Sequence, residues 1–109
     1  MVPMFADCDR TILDQFASTV RQQFPDAQIW AFGSRARGDA KPDSDLDICV
    51  VVDSLEPSVK KTISYIAWEI GFYHERLITT VKYSRDQFDQ GPCSISPLVQ
   101  TIRCEGIAV

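Results

Sequence analysis

The chain has 109 residues, of which 45% are hydrophobic and 24% charged, with a net charge of −4 at pH 7 and a pI near 4.8. This balance predicts one globular domain spanning residues 1–109 and excludes a disordered chain. The acidic surplus disfavours a protein that binds long nucleic acids on its own, because phosphate contacts dominate that affinity. No apolar run approaches the roughly 20 residues of a membrane span and no signal peptide is evident, so we expect a cytoplasmic protein without membrane contact.

The first half of the chain predicts a helix followed by two strands. Apolar residues recur at helical spacing from Asp9 to Phe24, and Pro25 ends that segment. The apolar run that ends at Phe32 predicts a buried strand over 28–32. A loop rich in glycine, proline and charge follows over 33–44, and the near-continuous apolar run over 46–52 is typical of a strand buried on both faces.

The second half predicts a helix, a strand and two shorter helical segments. Pro57 suits the first turn of a helix, and Gly71 is its expected C-terminal stop. A third strand follows over 77–83, and Ser84 then opens a capped helical turn. A last short helix is expected from Leu98 up to Gly106, with Ile107 packed beside it.

This order of elements predicts an α/β (α+β) domain with a small mixed sheet of three strands and helices packed on it. The strand–helix–strand unit implies a right-handed crossover between parallel strands, whereas the shorter loop between the first two strands also permits an antiparallel pair. Trp30 and Trp68 fit positions in the core, and Cys49 fits as a small buried hydrophobe. The four cysteines are too widely spaced to indicate a zinc site.

Two short segments carry the chemistry. Gly33 closes a strand and Ser34 opens the turn after it, where free backbone N–H groups form an anion site and Arg37 adds positive charge. Asp45 and Asp47 stand at the mouth of the next strand, and residues two apart in a strand point to the same face. Both carboxylates could therefore meet one Mg²⁺ ion, which prefers oxygen ligands and bridges to phosphates. If the first two strands are antiparallel, the two segments converge into a metal–triphosphate site.

The pattern Gly33-Ser34-x-Ala-Arg37-Gly, followed by Ser-Asp45-x-Asp47-apolar, resembles the signature of the DNA polymerase beta-like nucleotidyltransferase superfamily. The nearest resemblance is to its minimal nucleotidyltransferase branch, small domains often encoded beside HEPN-type proteins. The resemblance implies a fold like the polymerase beta palm, a phosphate-binding Gly-Ser pair and a metal-binding Asp-x-Asp pair. For Arg37, contact with phosphate and a plain surface charge remain equally open.

The resemblance also implies an activity: transfer of a nucleoside monophosphate from a nucleoside triphosphate, with ATP expected, to an acceptor hydroxyl, assisted by two Mg²⁺ ions. A third carboxylate is expected near the start of the third strand, where Glu75 is the acidic candidate, although its neighbours His74 and Arg76 depart from the usual apolar setting. The short chain predicts that a HEPN-type partner or a second copy completes the acceptor side. The alternative is a weak or inactive module that acts as the antitoxin-like partner of such a protein.

Overall fold

The structure is a computed structural model that describes residues 7–33, 45–91 and 95–109. The elements in these ranges are α1 (Asp7–Gln23), β1 (Gln28–Phe32), β2 (Leu46–Val52), α2 (Pro57–Tyr73), β3 (Ile78–Ser84), α3 (Arg85–Asp89), α4 (Pro97–Glu105) and β4 (Ile107–Ala108). None of the helices in the described ranges has the length and apolar character needed to cross a bilayer. The predicted loop over 33–44 lies outside these ranges except for Gly33.

The described strands form one mixed sheet in the order β3-β2-β1-β4. β1 and β2 are antiparallel, with Phe32 opposite Asp47, whereas β2 and β3 are parallel, with Asp47 opposite Thr79. The parallel pair is joined by α2, as a crossover connection requires. The expected α+β class and mixed sheet are confirmed, but the expected number of three strands is wrong, because β4 adds a fourth strand beside β1.

The two faces of the sheet are covered unequally. The larger core lies between the sheet and helices α1 and α2, and it contains Phe16 and Ile63 with the inward residues of β2 such as Ile48. The smaller core lies on the other face, where Phe88 of α3 packs with Cys49 and with residues of α4. Because successive residues of a strand alternate between faces, Asp47 belongs to the face of Cys49, away from α1 and α2.

Three details differ from the expectations. Gly71 lies inside α2 rather than ending it. A Cβ at this position would come within 2.5 Å of the Arg76 carbonyl oxygen, so glycine is needed for the chain after α2 to pass this close to the helix. Ile107 packs against the larger core rather than with the last helix, since it belongs to β4 and pairs with Ala31 of β1. Trp68 is 62% exposed rather than in the core, whereas Trp30 is half-buried and stacks on Phe88.

The capping prediction after β3 is confirmed. The Ser84 hydroxyl accepts a hydrogen bond from the backbone N–H of Gln87, and the Gln87 side chain accepts one from the backbone N–H of Ser84. This reciprocal cap satisfies N–H groups that the helix cannot pair internally. It starts α3 directly at the end of β3 and thereby aims Phe88 back onto the sheet.

Candidate functional site

The two aspartates lie where β2 begins. Asp45 is exposed just before the strand, and Asp47 is its second residue and half-buried. Leu46 between them is fully buried in the larger core, and its N–H donates to the carbonyl of Leu77 at 3.0 Å. Because successive side chains of a strand point to opposite faces, burial of Leu46 in the larger core places the carboxylates of Asp45 and Asp47 together on the opposite face.

Gly33 lies directly against one of these carboxylates. Its neighbour Phe32 is the antiparallel partner of Asp47, so the end of β1 meets the beginning of β2. A Cβ on Gly33 would overlap Oδ2 of Asp47 and lie 3.3 Å from its Cγ. Gly33 also has φ of +81°, a conformation that side-chain-bearing residues rarely adopt. Both the space and the backbone conformation therefore require glycine at this position.

Thr79 connects the two aspartates from the other side. It is the parallel register partner of Asp47, and its hydroxyl donates to Oδ2 of Asp45 at 3.5 Å. Asp47 consequently has Phe32 on one side and Thr79 on the other. Sequence reasoning missed Thr79, although the parallel crossover was predicted, because the register between two strands depends on how the connecting helix packs.

Glu75 occupies a different setting. It is exposed in the turn between α2 and β3, with φ of +56°, and its N–H donates to the Phe72 carbonyl at 3.2 Å. It lines a shallow groove with Trp68 and Phe72 of α2, on the helix side of the sheet. The strand that follows, Ile78–Ser84, contains no acidic residue, so the position on β3 beside Asp47 belongs to Thr79.

His74 and Cys49 have structural surroundings. Nε2 of His74 lies 2.8 Å from the amide oxygen of Gln15 and donates to it, which ties the end of α2 to α1. Burial raises the pKa of the Cys49 thiol from 9.0 to about 12, so this residue, two positions beyond Asp47 on the same face, stays neutral. A neutral buried thiol packs as a hydrophobe and is a poor metal ligand.

The remaining predicted site residues, Ser34 and Arg37, lie outside the described residues. Within the ranges that are described, no group of three or more His, Cys, Asp or Glu side chains could together hold a metal ion. Among the described residues, the candidate metal ligands are therefore the carboxylate oxygens of Asp45 and Asp47. Two carboxylates plus substrate phosphates and water are a sufficient oxygen set for Mg²⁺, which is commonly bound in this way.

Comparisons with known proteins show the family of the chain. The chain matches a family model described as "Nucleotidyltransferase domain" over residues 13–94, well over half of its length. It is also 53% identical over 34 residues to a Haemophilus influenzae protein named "Probable protein adenylyltransferase MntA". That similar stretch covers 30% of this chain and 30% of the relative. The family match includes Gly33, both aspartates and Thr79.

Proposed function

Because the chain belongs to the family of nucleotidyltransferase domains, we propose that it moves a nucleoside monophosphate from a nucleoside triphosphate, ATP in the simplest case, to an acceptor hydroxyl. The observation that carries the proposal is the contact of Gly33 with the Asp47 carboxylate. This contact joins the turn expected to bind phosphate to the pair expected to bind metal. The name of the Haemophilus influenzae relative favours a protein side chain as acceptor.

In the proposed reaction the acceptor oxygen forms a bond to the α-phosphorus while the bond from that phosphorus to the oxygen bridging to the β-phosphorus breaks. Pyrophosphate leaves, and the hydroxyl proton passes to a base or to water. A pair of Mg²⁺ ions, when bound, supplies positive charge that polarises the acceptor oxygen and neutralises the leaving group. Asp45 and Asp47 would hold this metal, and the Thr79 hydroxyl would orient the Asp45 carboxylate through its hydrogen bond.

The phosphate side of the proposal depends on the motif. The N–H groups of the turn after Gly33, the Ser34 hydroxyl and the Arg37 guanidinium would bind the triphosphate. Glu75 is proposed as the third carboxylate, on the ground that it is the acidic residue closest in sequence to β3 on its N-terminal side. We propose a cytoplasmic protein whose acceptor comes from a HEPN-type partner or from a second copy of the chain.

A transfer assay with α-labelled ATP, Mg²⁺ and a candidate partner protein tests the proposal. Asp45→Asn and Asp47→Asn should each lower transfer by at least about 100-fold, because each removes a charged metal ligand. Asp53→Asn is the matched control, since Asp53 lies just past the opposite end of β2 and its ion pair with Arg85, at 2.7 Å, is at the surface and contributes little to stability. This variant should transfer at the parent rate. Full activity in both aspartate variants would contradict the proposed site.

A second candidate function is favoured by Thr79. An uncharged side chain occupies the position on β3 beside Asp47, where a third carboxylate would complete the site, and this suits a module with weak or no catalysis that binds a HEPN-type partner. The two functions predict opposite results for two variants. If Glu75 completes the site, Glu75→Gln lowers transfer by about 100-fold, within the range of general acid–base effects.

If instead the site lacks its third carboxylate, Thr79→Asp raises a weak basal transfer by at least about 10-fold. Thr79→Asn is the control of equal shape without charge and should show no gain. Absence of transfer in the parent and in Thr79→Asp with every nucleotide tested, together with retained partner binding, would favour the binding module. In that case the proposed transfer activity is wrong for this chain.

A further inference from the structure

The outer face of α2 carries an unusual concentration of exposed apolar side chains. Among the described residues, seven large hydrophobic side chains are substantially exposed, and five of them lie between Tyr65 and Leu77. The neighbouring helix α1 instead presents polar residues to solvent, including an ion pair between Arg10 and Asp14 at 3.3 Å. An exposed apolar surface of this kind on a soluble domain typically marks a protein-binding site.

Three of the aromatic rings form a continuous ladder along this helix. Tyr65, Trp68 and Phe72 are 60%, 62% and 73% exposed. The rings of Trp68 and Phe72 stack at 5.4 Å between centroids, and those of Tyr65 and Trp68 lie 6.1 Å apart. At about 100° per residue these three side chains, with Lys61 one turn earlier, fall within an arc of about 60°. We call these four residues the α2 stripe.

The spacing of the α2 stripe is that of a helix-pairing surface. Its intervals of four, three and four residues are those of the seam of a two-helix coiled coil. The order of the intervals is the same when the helix is read in either direction. An antiparallel second α2 can therefore pair with the first, placing Tyr65 against Trp68 and Lys61 against Phe72 across the interface.

The charges along α2 complement an antiparallel copy and oppose a parallel one. Lys60 and Lys61 lie near the beginning of the helix, whereas Glu69 and Glu75 lie towards its end and beyond it, and all four are exposed. Antiparallel pairing brings Lys61 of one copy between the levels of Glu69 and Glu75 of the other, over the ring of Phe72. Parallel pairing would place lysine beside lysine.

From this pattern we infer that the α2 stripe is the interface of a symmetric dimer of this chain, with the two α2 helices antiparallel. The three rings expose on the order of 400 Å² per copy, estimated from about 200 Å² for each aromatic side chain. Leu77 and the lysine stems bring the pair to roughly 1,000 Å² in total, the lower bound of a specific interface. We therefore expect micromolar affinity.

Pairing through α2 leaves Gly33, Asp45 and Asp47 uncovered, whereas Glu75, the proposed third carboxylate, lies in the turn at the edge of the interface. Asp47 lies on the face of the sheet that carries Cys49 and Phe88, whereas α2 covers the other face. The inference goes beyond the proposed transfer and does not require it, because self-association is measured without nucleotide, metal or acceptor. Loss of either result therefore leaves the other intact.

Sedimentation equilibrium of the purified chain from about 5 to 300 μM tests the inference, with a mass expected to rise from 12.3 kDa towards twice that value. Trp68→Glu should weaken association by at least about 10-fold, since it buries a charge in the seam. Ile95→Glu is the control, because Ile95 is 76% exposed and lies two residues before α4, which packs on the smaller core rather than on α2. Circular dichroism should show that both variants stay folded.

A charge exchange tests the antiparallel arrangement. Lys61→Glu alone, and Glu69→Lys with Glu75→Lys alone, should each be largely monomeric, whereas an equimolar mixture of the two variants should form a mixed dimer. A monomer at every concentration, or a dimer that Trp68→Glu does not weaken, would overturn the inference. It would equally be overturned if the chain alone stays monomeric while a helical partner protein binds in a Trp68-dependent manner.

Discussion

Replacing Gly33 with alanine probes the contact on which the candidate site depends. At φ of +81° an alanine costs about 1–2 kcal/mol relative to glycine, because its Cβ approaches the backbone oxygen. The new Cβ would also overlap Oδ2 of Asp47, so that this carboxylate must move from its position beside Phe32. A domain of this size loses roughly 4–8 °C in Tm for each kcal/mol, so we expect a decrease of about 5–15 °C.

Two measurements separate the effects of this substitution. Urea unfolding followed by tryptophan fluorescence measures the loss in unfolding free energy, and titration calorimetry with Mg²⁺ and a non-hydrolysable ATP analogue measures binding, which should weaken at least about 10-fold. Gly91→Ala is the control for crowding alone, since Gly91 has no positive φ and its Cβ would lie 3.3 Å from the Gln87 Cα, a close contact that costs less than the overlap at Gly33. Parent-like stability would refute the backbone reasoning, and parent-like binding would refute the role of Asp47.

Two further predictions concern the smaller core. Phe88→Ala should lower the unfolding free energy by about 3–5 kcal/mol in urea titrations, because the ring is 1% exposed. Phe72→Ala on α2 is the control, since its ring is 73% exposed, and in dilute samples it should change the unfolding free energy by less than about 0.5 kcal/mol. With the other two cysteines replaced by serine, a thiol reagent at pH 8 should label exposed Cys104 in the native chain and reach buried Cys49 only on unfolding. Rapid labelling of both thiols in the native chain would contradict the burial of Cys49. Because burial raises the pKa of Cys49 from 9.0 to about 12, its neutral form should favour folding below pH 9, and this contribution to the unfolding free energy should decline between pH 9 and 12.

Much of the fold could be predicted because its signals are local. The apolar runs of β1 and β2 and the capping box at Ser84 each depend on a few neighbouring residues, and all three lie where expected. β4 could not be predicted, since its two residues form a strand only because they pair with the outer edge of β1. Gly71 was predicted to end α2, but it lies inside the helix. It leaves room for the carbonyl oxygen of Arg76, which comes close only after the chain has turned back from the end of the helix.

The described part of the candidate site is predictable where its signals are local. The Asp45–Asp47 pair follows from the alternation of a strand, and its closeness to Gly33 follows from antiparallel pairing. The position of Thr79 beside Asp47 depends on the register of a parallel pair across seventeen helical residues, which no short pattern encodes, and Glu75 stays a prediction for the third carboxylate. The exposure of Trp68 was equally unpredictable, because an aromatic stripe at helical spacing has the same sequence pattern whether it faces the core or the solvent.

The position of β2 inside the sheet has a consequence for how ligands are received. This strand is bonded to β1 on one side and β3 on the other, and its first residue is anchored in the core. The backbone that carries Asp47 is thus immobilised before any ligand arrives, so little ordering entropy remains to oppose binding. Affinity at such a preorganised edge should depend on charge and shape at the carboxylates, and crosslinks or prolines placed elsewhere to stiffen the chain should add little to it.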